Sequence, residues 1–227
     1  MDQMKRFALY YAPAPGAFAD AAASWLGWDL AAGRAVAQPQ PDLPRPLAEI
    51  TAEPRKYGFH ATLKPPFRLA EGKSPDDLAQ AVARLASTLG PVKLPGLQMV
   101  ALDGFLALTP LGDQTVLQDF AAEIVRSIDP FRAAPTPAEI ARRRPERLTP
   151  RQRVLLDTYG YPYVLEQFQL HLTLTGPLLV DEAAITQAAI AHFAGLIPQP
   201  FHISDICLCG EDAMGRFHLL HRYPLSA

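Results

Sequence analysis

The sequence contains the tetrad His-x-Thr-Leu twice. The first copy, HATL, occupies residues 60–63, and the second copy, HLTL, occupies residues 171–174, which is 111 positions further along the chain. A random arrangement of this composition would contain about 0.04 such tetrads. We therefore interpret the repeat as the mark of an internal duplication and also as two parts of one functional site.

On a β-strand, each tetrad presents histidine and threonine on the same face, because successive side chains alternate between the two faces. His60 and Thr62 then lie side by side, as do His171 and Thr173. Histidine exchanges a proton near neutral pH, and a threonine hydroxyl donates hydrogen bonds. A lone His-x-Thr is usually a half-exposed structural pair. The repetition instead favours these four residues as the catalytic groups of one cleft.

Three residues near the first tetrad are candidate substrate ligands. Lys64 follows Thr62 on the same strand face. Its ammonium group either adds a positive charge to the cleft or is solvated and has no role there. Arg55 and Tyr57 precede the tetrad and would border the cleft. A regular strand would turn Tyr57 toward the core, whereas a break at Gly58 would release it from that register.

The segment 131–166 has no counterpart beside the first tetrad, and it is rich in arginine and tyrosine. Two interpretations of this segment are open. The arginines form the solvated face of a helix, or the segment is a lid that brings an arginine to a phosphate and a tyrosine to a base or sugar. Arg142 and Tyr161 are the candidates for those roles. The full set is Arg142, Arg143, Arg144, Arg147, Arg151, Arg153, Tyr159, Tyr161 and Tyr163.

The elements around the tetrads repeat in the same order: a strand with the tetrad, a helix and two further strands. In the first half the helix is predicted over residues 74–90, with Ser74 as its N-cap and Gly90 at its end. We predict an α+β fold of two antiparallel sheets related by a pseudo-twofold axis, with outer helices and a central cleft. One bilobal domain would span 1–227, with lobes of about 1–110 and 111–227.

The paired tetrads on repeated strands resemble the two-histidine phosphoesterase superfamily, which includes bacterial RNA ligase-like 2′,5′ enzymes and cyclic nucleotide phosphodiesterases. Longer stretches are similar to an uncharacterised branch associated with phosphonate-utilisation operons. Those stretches are YGFHATLKPPFRL, ARRRPERLT, GYPYV and HLTLTGPL. The resemblance implies metal-free cleavage of a phosphate ester, commonly a 2′,3′-cyclic phosphate of a small nucleotide or a sugar. One histidine would act as base and the other as acid.

Other functions stay open at this point. A non-catalytic module could bind RNA ends or nucleotides in the same cleft, and a metal hydrolase is a third possibility. The spacings among His202, Cys207, Cys209, His218 and His221 match no structural zinc pattern, so we expect no metal. We also expect no cofactor, and a small phosphate ester or an RNA end as the partner.

Composition limits the remaining classes. The chain is 49% hydrophobic and 19% charged, with a formal net charge of −2, so no overall positive field attracts DNA or an anionic membrane. No apolar run approaches the roughly 20 residues of a membrane span. We expect the two cysteines, Cys207 and Cys209, to be reduced, buried thiols. From these features we expect a monomeric cytoplasmic protein.

Overall fold

The computed structural model describes residues 3–178 and 181–226, and the α+β class is confirmed. The strands in this part are β1 (Arg6–Tyr11), β2 (Trp28–Asp29), β3 (Arg34–Ala35), β4 (Ala61–Phe67), β5 (Val92–Leu94), β6 (Leu97–Leu102), β7 (Phe105–Pro110), β8 (Leu172–Pro177), β9 (Phe201–Ile203), β10 (Asp205–Glu211) and β11 (Phe217–Pro224). The α-helices are α1 (Ala17–Leu26), α2 (Leu47–Ile50), α3 (Pro75–Ala86), α4 (Thr115–Ile128), α5 (Pro137–Ala141), α6 (Pro150–Tyr159) and α7 (Glu182–His192).

The main sheet has seven strands in the order β11-β10-β1-β4-β8-β7-β6, and all neighbours are antiparallel. The strands that begin within the tetrads, β4 and β8, are adjacent at its centre. They pair through one residue pair, Ala61 with Leu172. The two expected sheets therefore meet at the tetrads. Two short ribbons, β2 with β3 and β5 with β9, lie outside this sheet.

The two halves of the sequence exchange hairpins. The hairpin β6–β7 belongs to the first half, yet β7 pairs with β8 of the second half. The hairpin β10–β11 belongs to the second half, yet β10 pairs with β1, which in turn pairs with β4. The expected lobe boundary near residue 110 therefore does not divide the sheet. The sequence does not predict this exchange, because hydrophobic alternation indicates where strands lie but not which strands pair with each other.

The main hydrophobic core lies on one face of the sheet, beneath the helices. Leu9, Leu63, Leu174 and Leu208 are each at most 1% exposed and pack there. Helices α1, α3, α4 and α7 contribute their apolar faces to the same core. Alternate residues of β1 and β10 point to the opposite face, where a smaller cluster surrounds Tyr10. The helices thus leave the tetrad histidines and threonines on an uncovered face.

Helix α3 begins as the sequence predicts and ends earlier. The Ser74 hydroxyl accepts from the backbone N–H of Asp77, whose carboxylate accepts from the Ser74 backbone, forming a capping box. The helix ends at Ala86 rather than near Gly90. The hydroxyls of Ser87 and Thr88 donate to carbonyls three residues back and so compete with continued helix formation.

The segment 131–166 is ordered into two helices, α5 and α6, each introduced by a threonine capping box. Leu155, Val164 and Leu165 pack with Ala122 and Val125 of α4 in a separate apolar cluster. The segment is therefore attached to the body of the protein through α4. Among the described residues, no helix combines the length and apolarity that a bilayer crossing requires.

Replacing Trp25 by Phe should lower the free energy of unfolding by about 1–3 kcal/mol. The Trp25 indole N–H donates to the Leu174 carbonyl at 3.0 Å and ties α1 to the second tetrad strand, and the side chain is 1% exposed. Urea unfolding measures the change. Val116→Ala, at a 67% exposed position, serves as the control and should stay within about 0.5 kcal/mol of wild type. Equal stability of Trp25→Phe and wild type would contradict the role of this bond.

Candidate active site

The two tetrads form one polar patch at the centre of the sheet. Ala61 and Leu172 face each other across β4 and β8, and both are fully buried on the core side. At this antiparallel register each histidine stands opposite the threonine of the other tetrad, for example His60 opposite Thr173. The two histidines and two threonines therefore share the face opposite the main core.

Both imidazoles are held by the same local device. His60 Nδ1 lies 2.9 Å from the Gly58 carbonyl oxygen, and His171 Nδ1 lies 2.9 Å from the Gln169 carbonyl oxygen. A carbonyl only accepts, so Nδ1 carries the hydrogen in each ring. In the neutral form each Nε2 then holds a lone pair, and it is the ring nitrogen that remains for a substrate.

His60 is packed more tightly than its counterpart. Its ring stacks on Tyr10 with centroids 3.8 Å apart, and its Nε2 lies 3.2 Å from Thr62 Oγ1. The pKa of His60 is lowered from 6.5 to about 4, mainly because burial disfavours the charged ring; the bond to Gly58 opposes this shift, and the nearby His171 contributes to it. At neutral pH the His60 imidazole is therefore uncharged and can accept a proton.

A cavity of about 300 Å³, called here the histidine cavity, opens beside His60. Thr173, Tyr57 and Phe105 also line it. His171 and Thr62 are not among the lining residues; the His171 ring contacts the wall residue Phe105, with ring centroids 5.7 Å apart. The walls thus combine proton-exchanging and hydroxyl groups with apolar surface, which is typical of a small-molecule site.

Tyr57 lies on the cleft side because the chain turns sharply after it. Gly58 has φ +70°, and a Cβ at this position would stand 2.7 Å from Leu30 Cβ. The regular strand begins only at Ala61, so the alternation that would have sent Tyr57 to the core does not apply. The Tyr57 ring centroid lies 6.1 Å from that of His60.

Lys64 does not face the histidine cavity, contrary to the prediction from strand alternation. Its side chain is 2% exposed, and its ammonium donates to the Val125 carbonyl at 3.2 Å and to Asp129 Oδ1 at 3.1 Å. Irregular register between β1 and β4 on either side of Leu9 disturbs the simple alternation. The pKa of Lys64 is lowered to about 8, because burial disfavours the charged ammonium more strongly than Asp129 favours it. Lys64 therefore joins β4 to α4.

Arg55 also has a structural role in place of the predicted one at the cleft. Its guanidinium donates to the Leu26 and Ala48 carbonyls, Gln38 Oε1 and Thr51 Oγ1, at distances from 2.7 to 2.9 Å. These acceptors connect α1, the loop of residues 36–46 between β3 and α2, and α2 itself. The side chain therefore stabilises the loop that leads to the first tetrad.

Arg142 and Tyr161 lie near the site but not in the histidine cavity. Arg142 lines a second cavity, which shares Tyr57 with the first. The Tyr161 ring is covered by the Arg143 guanidinium, whose Cζ is 4.5 Å from the ring centroid. The stacking surface predicted for a base or sugar is thus occupied by an arginine of the same segment.

Two aromatic residues at the site were not predicted, namely Tyr10 and Phe105. Tyr10 belongs to the opening strand, and nothing in the sequence indicates that β1 would lie beside β4. Phe105 begins the first-half hairpin strand as Phe217 begins the second-half one. The Phe105 ring contacts His171 of the second half, and Phe217 contacts the first tetrad indirectly, through Tyr10, whose ring centroid lies 5.8 Å from its own. The presence of phenylalanine at the start of both hairpin strands, at Phe105 and Phe217, is the sequence feature that could have indicated a role for Phe105.

The family described as "Protein of unknown function (DUF1045)" matches residues 62–218, more than half of the chain. Two curated relatives named ribose 1,5-bisphosphate phosphokinase PhnN are each 36% identical. The match to the Janthinobacterium sp. (strain Marseille) protein covers 99% of this chain and 52% of the relative. The match to the Laribacter hongkongensis (strain HLHK9) protein covers 86% and 46%, respectively. The chain thus spans about half the length of these relatives.

Among solved structures, LigT of E. coli in complex with NADP⁺ aligns over 99% of both chains at 17% identity, with a TM-score of 0.46. At this identity and score the resemblance is distant. Within residues 3–178 and 181–226, no group of three His, Cys, Asp or Glu side chains is arranged to hold a metal ion.

Acidification should destabilise the wild-type protein more than His60→Gln. The folded-state pKa of His60 is about 4 against 6.5 when unfolded, so the unfolded state binds the extra proton as pH falls from 6.5 to 4. The wild type should lose up to about 3 kcal/mol through this group. Urea unfolding at several pH values measures the loss. His202→Gln, at an exposed position, should keep the wild-type slope. Parallel slopes for wild type and His60→Gln would contradict the lowered pKa.

Arg55→Ala should lower the free energy of unfolding by about 2–4 kcal/mol, because it leaves several partly buried acceptors without a donor. Chemical denaturation measures the change. Arg34→Ala, on the exposed strand β3, is the matched control and should stay near wild type. If both variants were equally stable, Arg55 would not be the anchor of the loop.

Proposed function

We infer that this chain, which belongs to the DUF1045 family of proteins of unknown function, is a metal-independent phosphoesterase that uses paired histidines. It cleaves a phosphodiester of the 2′,3′-cyclic phosphate type in a small nucleotide or a sugar phosphate. The resemblance to the branch near phosphonate-utilisation genes suggests a substrate from phosphonate metabolism. The names of the two relatives, which specify a ribose bisphosphate, support a sugar phosphate over an RNA end.

One observation carries this proposal: the contact between Ala61 and Leu172 sets both His-x-Thr pairs on one face. In-line displacement at phosphorus needs a base at the attacking oxygen and an acid at the leaving oxygen. Two imidazoles on neighbouring strands supply both groups on either side of a phosphate. A coincidental pair of structural histidines would not require the same Nδ1 anchor in both strands.

We assign the base role during hydrolysis to His60 and the acid role to His171, on the basis of the environment of His60. His60 is neutral at pH 7, since its pKa is about 4, and its Nε2 removes a proton from the attacking water. As the water oxygen bonds to phosphorus, the bond from phosphorus to the ribose oxygen breaks. His171, which enters this step in its doubly protonated form, then donates its Nε2 proton to that leaving oxygen and becomes neutral. Proton exchange with solvent restores both rings.

Thr62 and Thr173 bind the non-bridging oxygens of the phosphate. Each hydroxyl is a donor two residues beyond a histidine on the same strand face, so each points to the same phosphorus as the imidazoles. Charge grows on these oxygens as water adds, and fixed donors stabilise that charge. Thr62 Oγ1 also lies 3.2 Å from His60 Nε2, within hydrogen-bonding distance.

We assign the phosphokinase activity in the relatives' names to the part of those proteins outside the match. A phosphate-binding loop of the type G-x-x-x-x-G-K-S/T would need a glycine five residues before Gly72, where this chain has Phe67. The following Ser74 hydroxyl is engaged in the helix cap with Asp77. Asp76 and Asp77 add negative charge there, which disfavours a phosphate.

Turnover of nucleoside 2′,3′-cyclic phosphates in EDTA tests the proposal. His60→Ala and His171→Ala should each lower kcat/KM by about 10²–10⁴-fold, because each removes one proton-transfer group. Steady-state kinetics over a panel of cyclic and linear diesters gives the values. His202→Ala, which alters an exposed histidine on β9, should retain the wild-type rate.

Three results would contradict the proposal. Near-native rates in either single histidine variant would exclude the paired mechanism. Loss of wild-type activity in EDTA would indicate a metal hydrolase. Binding without turnover of any diester would indicate the non-catalytic nucleotide- or RNA-end-binding module.

A further inference from the structure

A second cavity, called here the arginine cavity, adjoins the histidine cavity across Tyr57, which lines both. It measures about 230 Å³. Five arginines lie in its wall together with one carboxylate, that of Glu139. The arginines are Arg6, Arg68, Arg132, Arg142 and Arg143. The paired-histidine mechanism uses none of them.

Three of these arginines are neutralised by carboxylates. Arg6 forms a bidentate pair with Glu211, at 2.5 and 2.7 Å. Arg132 forms one with Asp129, at 2.8 and 3.1 Å. Arg68 binds Glu139 in the same manner, with a shortest contact of 3.1 Å. These pairs form the frame of the cavity.

Arg142 and Arg143 are different, because neither forms a salt bridge with any carboxylate in the described part of the chain. Arg143 lies over the Tyr161 ring, which orients its guanidinium without neutralising it. Two positive charges therefore remain at the cavity. Planar guanidinium groups bind phosphate oxygens in pairs, so this excess suits a phosphate.

The backbone that carries the two arginines is held by hydrogen bonds to Ala138 and Ile140, and both side chains are exposed. The two arginines follow α5, which Thr136 and Glu139 cap at its start. The Glu139 carboxylate also binds Arg68, so it links α5 to the segment after β4. These hydrogen bonds lower the pKa of Glu139 to about 2. The link therefore persists across the neutral range.

We propose that the arginine cavity binds a second anionic group of the substrate, a phosphomonoester, through Arg142 and Arg143. This inference rests on the proposed function for the position of the diester at the histidines. The substrate is then a small molecule with a phosphodiester at one end and a phosphomonoester at the other. Tyr57, between the two cavities, contacts the sugar that joins them.

Two ligands that differ only in the second phosphate test the proposal. Adenosine 2′,3′-cyclic phosphate is compared with its 5′-phosphorylated form. Wild type should favour the 5′-phosphorylated compound by about 10- to 100-fold in kcat/KM. Arg142→Gln and Arg143→Gln should each reduce that preference by about tenfold, because they lower kcat/KM for the 5′-phosphorylated compound more than for the 5′-hydroxyl compound. Arg147→Gln, at an exposed position outside the cavity, should leave the preference intact.

Binding measured by calorimetry separates the subsite from the catalytic proposal. The same two ligands are titrated into the double variant His60→Ala/His171→Ala, with and without the arginine changes. Tighter binding of the 5′-phosphorylated ligand that disappears with Arg142→Gln and Arg143→Gln supports the subsite even if wild type turns over neither compound. Equal affinity for both ligands, absence of binding by every form, or an equal effect of the arginine changes on both ligands would overturn it.

Discussion

The antiparallel contact between Ala61 of β4 and Leu172 of β8 is the constraint on which the candidate site depends. Both side chains are buried in the core, so the packing that fixes the register also fixes what lies on the other face. A slip by one residue would turn the histidines into the core and the apolar residues into the cleft. Stability and site geometry therefore depend on the same pairing.

The two histidines make the same hydrogen bond to the backbone, but their rings have different surroundings. Each Nδ1 donates to the carbonyl two residues earlier, which fixes the ring orientation in both strands. The surroundings differ, since Tyr10 covers the face of His60, whereas His171 meets Phe105 at a longer ring separation. Desolvation disfavours the charged imidazole at His60, and its neighbour adds electrostatic repulsion. The two copies of the motif therefore present differently packed imidazoles.

The sequence predicted the α+β class, most of the elements and the shared face of the tetrads, because these follow from local alternation and capping. It did not predict how Lys64 and Arg55 are used. Both predictions assumed that a cation near the motif faces the cleft. Instead, Lys64 lies beside an irregularity in strand register and binds Asp129, and Arg55 binds acceptors such as the Leu26 carbonyl. Tyr10 could not be found because its position depends on which strands pair. Partner choice is a property of the whole fold.

The exchange of hairpins between the two halves has an evolutionary consequence. If the tetrads descend from one ancestral unit, that unit alone would have carried a histidine strand together with a hairpin that belongs beside another such strand. It would have closed its sheet only by pairing with a second copy, as swapped homodimers do. Fusion of two copies then freed each histidine to diverge, which a symmetric dimer forbids.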